Sequence, residues 1–351
     1  MQCPSQDEGI YNMMRIVVDA MGSDGNPVPD VEGAVLAARE YGIAIVLVGD
    51  QAQVRAELAK HDTSGLSLEI VHAPQAITMA DRPGLVGRSK PDSSMHVGMT
   101  LVKEGKGDAF VSAGNTGAVL AVALLHTLKR IEGIHRPALS AILHVGQRSI
   151  ILLDIGANAD CRPEWLAQFA LMGSIYAAQA LQCSNPRVGL LSNGEEAGKG
   201  TVLVQETAEL LRTGGVNFIG NVEPKEILGD ATDVAVMDGF SGNVLIKTME
   251  AFGMTLFDLL RQELRANWRA KMAGLLGRPA LRRVYHQVDP FEVGGAPLLG
   301  VDGVVIIGHG RSNALAIKNA IRQARDAVSG RIVEAIRAGL EGNTFPVGHS
   351  H

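Results

Sequence analysis

Cysteine is scarce in this chain. Cys3, Cys161 and Cys183 are odd in number and far apart in 351 residues, which excludes a disulfide framework or a zinc ribbon and fits a reducing cytoplasm. Metal-ligand spacings are missing as well: there is no H-x-x-x-H or C-x-x-C and the ten histidines are dispersed, so no metal is expected. No G-x-G-x-x-G follows a strand, which leaves a nicotinamide cofactor without its phosphate turn, and no cofactor is expected. A basic excess is absent too. The formal net charge of -5 and the pI near 6.1 argue against a nucleic-acid binder. No apolar run reaches the roughly 18 uncharged residues of a membrane span, and the N-terminus lacks the basic-then-apolar pattern of a secretory signal. Aromatics make up only 4% against 41 glycines, a balance that suits aliphatic parallel strands joined by tight loops rather than a β-sandwich.

What is present is an alternation. Short apolar runs read as strands: Arg15–Asp19, Ala44–Gly49, Leu68–His72, Asp108–Ser112, Ala138–His144, Ile150–Asp154, Arg187–Ser192, Phe218–Gly220, Asp233–Met237 and Gly303–Ile307. Between them lie helical patterns at Asp30–Tyr41, Ser93–Gly105, Gly117–Lys129, Glu164–Gln182, Gly200–Arg212, Asn243–Gln262 and Arg311–Val328. Strand, polar turn and helix in repeated order imply an α/β fold with right-handed crossovers, a mainly parallel sheet, and ligands at the carboxyl ends of strands. Residues 1–13 are polar and irregular and read as an N-terminal extension; 14–328 form the α/β domain, with 254–290 as an inserted helical subdomain, and 329–351 a C-terminal tail.

The polar turns are where chemistry is expected. Asp19 to Pro27 places two glycines, Gly22 and Gly25, and two carboxylates after a buried strand, a turn that holds a ligand or merely closes the strand. Ser112-Ala113-Gly114-Asn115-Thr116-Gly117 opens an uncharged helix. Its free amides and favourable dipole make a seat for phosphate, although an Asn/Gly helix cap has the same composition. Asp154 to Asp160, with Asn158, repeats the theme, as does Asn193-Gly194-Glu195-Glu196-Ala197-Gly198-Lys199-Gly200. The latter is not a Walker A loop, since only three residues separate Gly194 from Gly198 and Gly200 replaces the Ser/Thr that holds magnesium. Lys199 neutralises a phosphate or developing oxyanion there, or is solvated surface. Asp238 to Asn243, with Gly242, and Gly308 to Asn313, with His309, complete a set that points to one shared cleft for a phosphorylated or acyl substrate.

One segment differs in character. Met254–Tyr285 carries seven basic residues (Arg261, Arg265, Arg269, Lys271, Arg278, Arg282, Arg283) against Asp258 and Glu263, and Phe257, Leu260, Leu264, Trp268, Met272 and Leu275 recur at helical spacing. Pro279 is expected to end this helix, with Gly274 and Gly277 loosening the chain into a hairpin. Such a face lies on anionic lipid, docks an acidic carrier protein, or packs inside a dimer.

These turns together resemble one family, the bacterial phosphate acyltransferases of phospholipid synthesis (acyl carrier protein:phosphate transacylases, PlsX). The runs that carry the resemblance are Val18–Gly22, Ser112–Ala118, Gly133–Ala138, Asp154–Asn158, Asp238–Val244 and Ile307–Ser312, within a span from Arg15 to Ala327. Ser23 and Gly25 depart from it, standing where the family usually has Gly and His, and Ala251 replaces a usual Gly. The resemblance implies a Rossmann-like sheet similar to phosphate acetyltransferases and isocitrate dehydrogenases, a homodimer, and cytoplasmic enzyme peripherally bound to the inner face of the membrane through the helical tip. It implies transfer of a fatty acyl group from acyl carrier protein to inorganic phosphate, the acyl-phosphate passing to a membrane glycerol-3-phosphate acyltransferase. Acyl-CoA as donor, or a scaffold role at the membrane, are the alternatives. For the chemistry, Lys199, Asn243 and His309 are the expected catalytic residues. Asp19, Gly22, Ser112, Gly114, Asn115, Thr116, Gly117, Asn158, Asn193, Glu196 and Gly242 are expected around phosphate and substrate.

Overall fold

The computed structural model describes residues 13–343 apart from 147 and 289. Residues 1–12 of the expected extension, Cys3 among them, and the end of the expected tail lie outside the described residues. In chain order the strands are β1 (Arg15–Asp19), β2 (Ala44–Gly49), β3 (Leu68–His72), β4 (Ala109–Ser112), β5 (Ala138–Val145), β6 (Arg148–Leu153), β7 (Arg187–Leu191), β8 (Asn217–Val222), β9 (Val234–Val236), β10 (Gly295–Leu299) and β11 (Val304–Gly308). The helices are α1 (Val28–Tyr41), α2 (Gln51–Leu58), α3 (Pro83–Ser89), α4 (Ser94–Lys103), α5 (Thr116–Ala121), α6 (Pro163–Gln179), α7 (Val202–Thr213), α8 (Pro224–Leu228), α9 (Gly239–Glu263), α10 (Trp268–Val288), α11 (Pro290–Val293), α12 (Ala314–Ser329) and α13 (Ile332–Gly342). A π-helical stretch, Val122–His126, prolongs α5.

All these strands form one sheet in the order β3-β2-β1-β4-β11-β10-β5-β6-β9-β7-β8. The apolar runs sit where both faces are covered. In β1 the alternation sends Ile16 and Val18 into the core with α1 and α12, and Val17 into the opposite core with Met95, Met99 and Val119. The sheet has two parallel blocks. β3, β2, β1, β4 and β11 run together, and β6, β9, β7 and β8 run together; β10 and β5, antiparallel to each neighbour, join them. Two antiparallel steps plus the β5–β6 hairpin leave the second block reversed relative to the first. The carboxyl ends of the two blocks therefore face opposite sheet edges, and the polar turns do not all collect on one edge as the simple alternation implied.

β10 was invisible in the alternation because Gly295 and Pro297 interrupt it. The strand survives in the antiparallel ladder because Ser140 Oγ donates to Pro297 O at 2.9 Å and Leu298 and Leu299 pair with β5.

The basic segment is a hairpin, but it breaks elsewhere than expected. α9 ends through tightened bonds from Arg265 N to Gln262 O and from Ala266 N to Glu263 O. Asn267 then caps α10, its Oδ1 accepting from Ala270 N at 2.9 Å. Phe257, Leu260 and Leu264 thus precede the break and Trp268, Met272 and Leu275 follow it, so they do not share one helix. Pro279, expected to end the helix, lies inside α10.

Candidate active site

Three turns and one loop line an open cavity of about 510 Å³ at the carboxyl ends of β1, β4 and β11. Its walls are Asp24, Met79, Gly114–Gly117 and Gly308–Arg311. The turn after β4 is set by an internal frame. Buried Ser112 donates to Asp19 Oδ2 at 2.7 Å and accepts from Gly114 N at 3.1 Å, while Asp19 Oδ1 accepts from Met21 N. Burial pushes the Asp19 carboxyl up, against the hydroxyls bonded to it. Asp19 and Ser112 thus lie behind the cavity and shape it. Gly22 is required by the same packing: a Cβ there would come within 2.9 Å of Asp19 Oδ2 and 3.0 Å of Gly114 N.

Asn115 caps α5, accepting from Ala118 N, and its Nδ2 donates to the carbonyls of Met79 and Asp81 at 3.3 and 3.2 Å. Its side chain is used in holding the wall together. The first helical amides, at Thr116 and Gly117, have no intrahelical acceptor and belong to the cavity lining. Opposite them, Arg311 N donates to His309 Nδ1 at 3.2 Å, which leaves Nε2 as the ring's N–H donor. Arg311 adds an exposed guanidinium to the same rim. Helix amides, an imidazole N–H and a guanidinium around one cavity suit an oxyanion with several acceptor oxygens.

A second cluster surrounds Asp154, after β6. Its Oδ1 accepts from the amides of Leu139, Gly156 and Ala157, and its Oδ2 from Asn158 N at 2.7 Å and Asn158 Nδ2 at 2.9 Å. α9 docks on this turn through glycines: a Cβ at Gly242 would lie 1.9 Å from Asp154 O. Asn243 then reaches Ile155, donating from Nδ2 to its carbonyl at 3.2 Å. Ile155 packs against both the core under α5 and the core of β6 and β9, so this turn stands at the seam of the two blocks.

The profile of the family described as "Fatty acid synthesis protein" matches residues 14–334. A phosphate acyltransferase of Pelotomaculum thermopropionicum is 46% identical over 328 residues, 93% of this chain and 95% of that protein. One from Dictyoglomus turgidum is 47% identical over 329 residues, 93% of this chain and 98% of the other. The chain belongs to the phosphate acyltransferase family. It is an acyltransferase of lipid biosynthesis. In fold it is similar to a phosphotransacetylase from Streptococcus pyogenes (TM-score 0.60, 17% identity, 92% of this chain and 95% of that one). It is also similar to a branched-chain phosphotransacylase from Enterococcus faecalis (TM-score 0.54, 12% identity, 90% and 99%).

Of the residues singled out in the acyltransferase sequence, Gly114, Asn115, Thr116, Gly117 and His309 meet at the cavity; Asn158, Gly242 and Asn243 meet at the Asp154 turn instead. Lys199, Asn193 and Glu196 share neither place. Their loop follows β7, six strand intervals from β4, about 29 Å along the sheet at roughly 4.8 Å per strand. Asn193 Oδ1 accepts from Gly200 N, Glu196 O accepts from Lys199 N and from Asn221 Nδ2, and Lys199 itself is exposed. Sequence reasoning missed Met79 as a wall: residues 73–82 have no periodicity, and only the Asn115 bonds reveal why they close over α5. It quoted Asp24 and Arg311 within their turns without assigning them to the site.

Proposed function

We propose that this acyltransferase moves a long-chain fatty acyl group from acyl carrier protein to inorganic phosphate bound in the cavity between the turn before α5 and the His309 loop. The observation that carries the reading is the convergence there of the α5 amides, His309 Nε2 and Arg311. Phosphate needs donors to several oxygens at once. A phosphate oxygen attacks the thioester carbonyl carbon, a C–O bond forms, the C–S bond breaks and the thiolate leaves. With a thiol pKa of about 8.5 the leaving group needs little acid assistance, and no covalent enzyme intermediate is required. His309 orients phosphate through its Nε2–H, and the proton of the attacking hydrogen phosphate passes to solvent or to the departing thiolate.

Asn243 stands away from this cavity, and the reading gives it the carbonyl side of the reaction across the seam, whereas Lys199, about 29 Å along the sheet, is too far to take a direct part. Support for Asn243 comes from Ile155, which packs against a core on each side of the seam. Replacing Asn243 by Ala is expected to lower turnover by about a hundredfold, as removal of an oxyanion donor does elsewhere. Unchanged turnover in the folded variant contradicts that assignment. His309→Ala is expected to lower kcat/KM for phosphate by about a hundredfold, partly through a raised phosphate KM, without loss of fold. A value unchanged from the parent contradicts the cavity reading.

The hairpin is assigned to membrane contact and carrier docking, with hand-off of product to a membrane-bound glycerol-3-phosphate acyltransferase, in a homodimeric enzyme. Its surface supports the assignment. Trp268 is 71% exposed with Arg269 stacked 5.5 Å from its ring, and Leu276 is 78% exposed. Arg261, Arg265, Lys271, Arg278, Arg282 and Arg283 are exposed on the same hairpin. No helix among the described residues is long and apolar enough to cross a membrane, so contact by this route is peripheral. Anionic vesicles should capture the protein and lose it when Trp268 and Arg269 are replaced by Ala; capture unaffected by that change contradicts the assignment. Acyl-CoA offered in place of the acyl carrier protein tests the alternative donor.

A further inference from the structure

The Asp24 edge of the cavity rests on a buried pair that the proposed reaction does not touch. Ser23 and Asp30 are both buried, and Ser23 Oγ lies 2.5 Å from Asp30 Oδ2. Asp30 Oδ1 is enclosed without any hydrogen-bond partner. Burial pushes this carboxyl well above the ordinary range; the Ser23 hydroxyl opposes that and the Asp19 charge adds to it. The Asp30 side chain is anchored through the Ser23 hydroxyl. A buried oxygen without a hydrogen-bond partner destabilises the fold, and an apolar residue of similar size would avoid that cost. The pair is therefore expensive as mere filling.

Its connections lead to the cavity. Ser23 O closes the first turn by accepting from Asn26 Nδ2 at 2.6 Å. The next residue, Asp24, donates its amide to Gly310 O at 2.8 Å and lines the cavity with its side chain. Gly310 fits tightly there, since a Cβ on it would sit 3.1 Å from both Asp24 carboxylate oxygens. His309 and Arg311 flank Gly310. A carboxylate on the rim of an anion site must be held at a set distance, because like charges brought within a few ångströms repel strongly.

We propose that Ser23 and Asp30 are positioning residues for the phosphate side of the reaction: their buried hydrogen bond fixes the Asp24–Gly310 contact and, through it, the His309–Arg311 wall. The inference rests on the reading that this cavity holds phosphate. Neither residue touches substrate. Their effect is on where the rim stands.

Steady-state kinetics with phosphate and acyl donor varied separately tests it, on Ser23→Ala, Asp30→Val, Asp30→Asn and His309→Ala. Ser23→Ala and Asp30→Val should raise the phosphate KM about tenfold or more while kcat and the donor KM stay within about twofold. Asp30→Asn keeps a partner for Ser23 and should hold the phosphate KM near that of the parent. Ser23→Ala keeps the test open if Asp30→Val does not fold. A lowered melting temperature in Ser23→Ala with an unmoved phosphate KM overturns the inference, leaving the pair purely structural. A phosphate KM raised by His309→Ala but not by Ser23→Ala overturns the role of the pair alone. One raised by neither overturns the cavity reading on which it rests.

Discussion

Asp154 and Asp30 are both buried carboxyls beneath polar turns, one in each strand block, and they are held in opposite ways. Five N–H groups converge on Asp154, which serves them as an acceptor-only anion even though burial pushes its pKa up. Asp30 has one hydroxyl and an orphaned oxygen. The turn in the second block is a closed frame that α9 docks against; the turn in the first is lightly tethered and carries a wall of the phosphate cavity. The difference separates a scaffold from a surface that is tuned by small displacements.

The largest expected effect breaks the scaffold. Asp154→Ala strands five donors and should destabilise the protein by roughly 3 kcal/mol or more, whereas Asp30→Asn should change stability by no more than about 1 kcal/mol. Urea denaturation of the two variants measures the contrast directly, and similar losses would erase it. Next comes the docking of α9: Gly242→Ala drives a Cβ into Asp154 O and should cost about 1–3 kcal/mol by overpacking. A variant as stable as the parent would show that α9 is not seated on this turn.

A smaller effect lies at the opposite end of the second block. Burial alone would raise Asp233, but Arg187 at 2.9 Å and Arg148 at 3.2 Å outweigh it and hold the carboxyl at about 2. A depressed carboxyl contributes stability above its unfolded pKa, here near 3.8, and loses it as pH falls through the folded value. About 2 kcal/mol should therefore disappear between pH 4 and 2, and Asp233→Asn should make stability shallower in that window. An identical pH slope in the variant would remove this ion network from the account. The smallest effect is chemical. Cys161 is half-buried beside Asn158 O, burial pushes its thiol up to about 12, and it should react only slowly with alkylating reagents at neutral pH while the protein is folded. Rapid labelling would mean that the Asp154 turn opens.

The alternation of strands, the turns after β4 and β11, and the existence of a hairpin were legible because aliphatic runs and Gly/Asn turns carry strong local signals. Two things were not. The reversal of the second block depends on β10, a strand of Gly, Ala, Pro and Leu that owes its conformation to the ladder with β5 and β11 rather than to its own residues. Once the block is reversed, Lys199 and Asn243 no longer follow from strand-end logic to the place where His309 stands. The hairpin break was misread for a local reason: Asn267 is a good cap hidden between apolar residues at helical spacing, while Pro279, the more conspicuous breaker, is carried inside an exposed helix. The Ser23–Asp30 pair shows the same limit, since a serine and an aspartate seven residues apart in a turn and a helix give no sign of being buried together.

The most direct test is phosphate-dependent release of free thiol from long-chain acyl carrier protein by the purified protein, with acyl-phosphate identified by mass, compared with His309→Ala. The account predicts release that requires phosphate and falls about a hundredfold in kcat/KM for phosphate in the variant. No release by the parent, or release indifferent to both phosphate and His309, would contradict it.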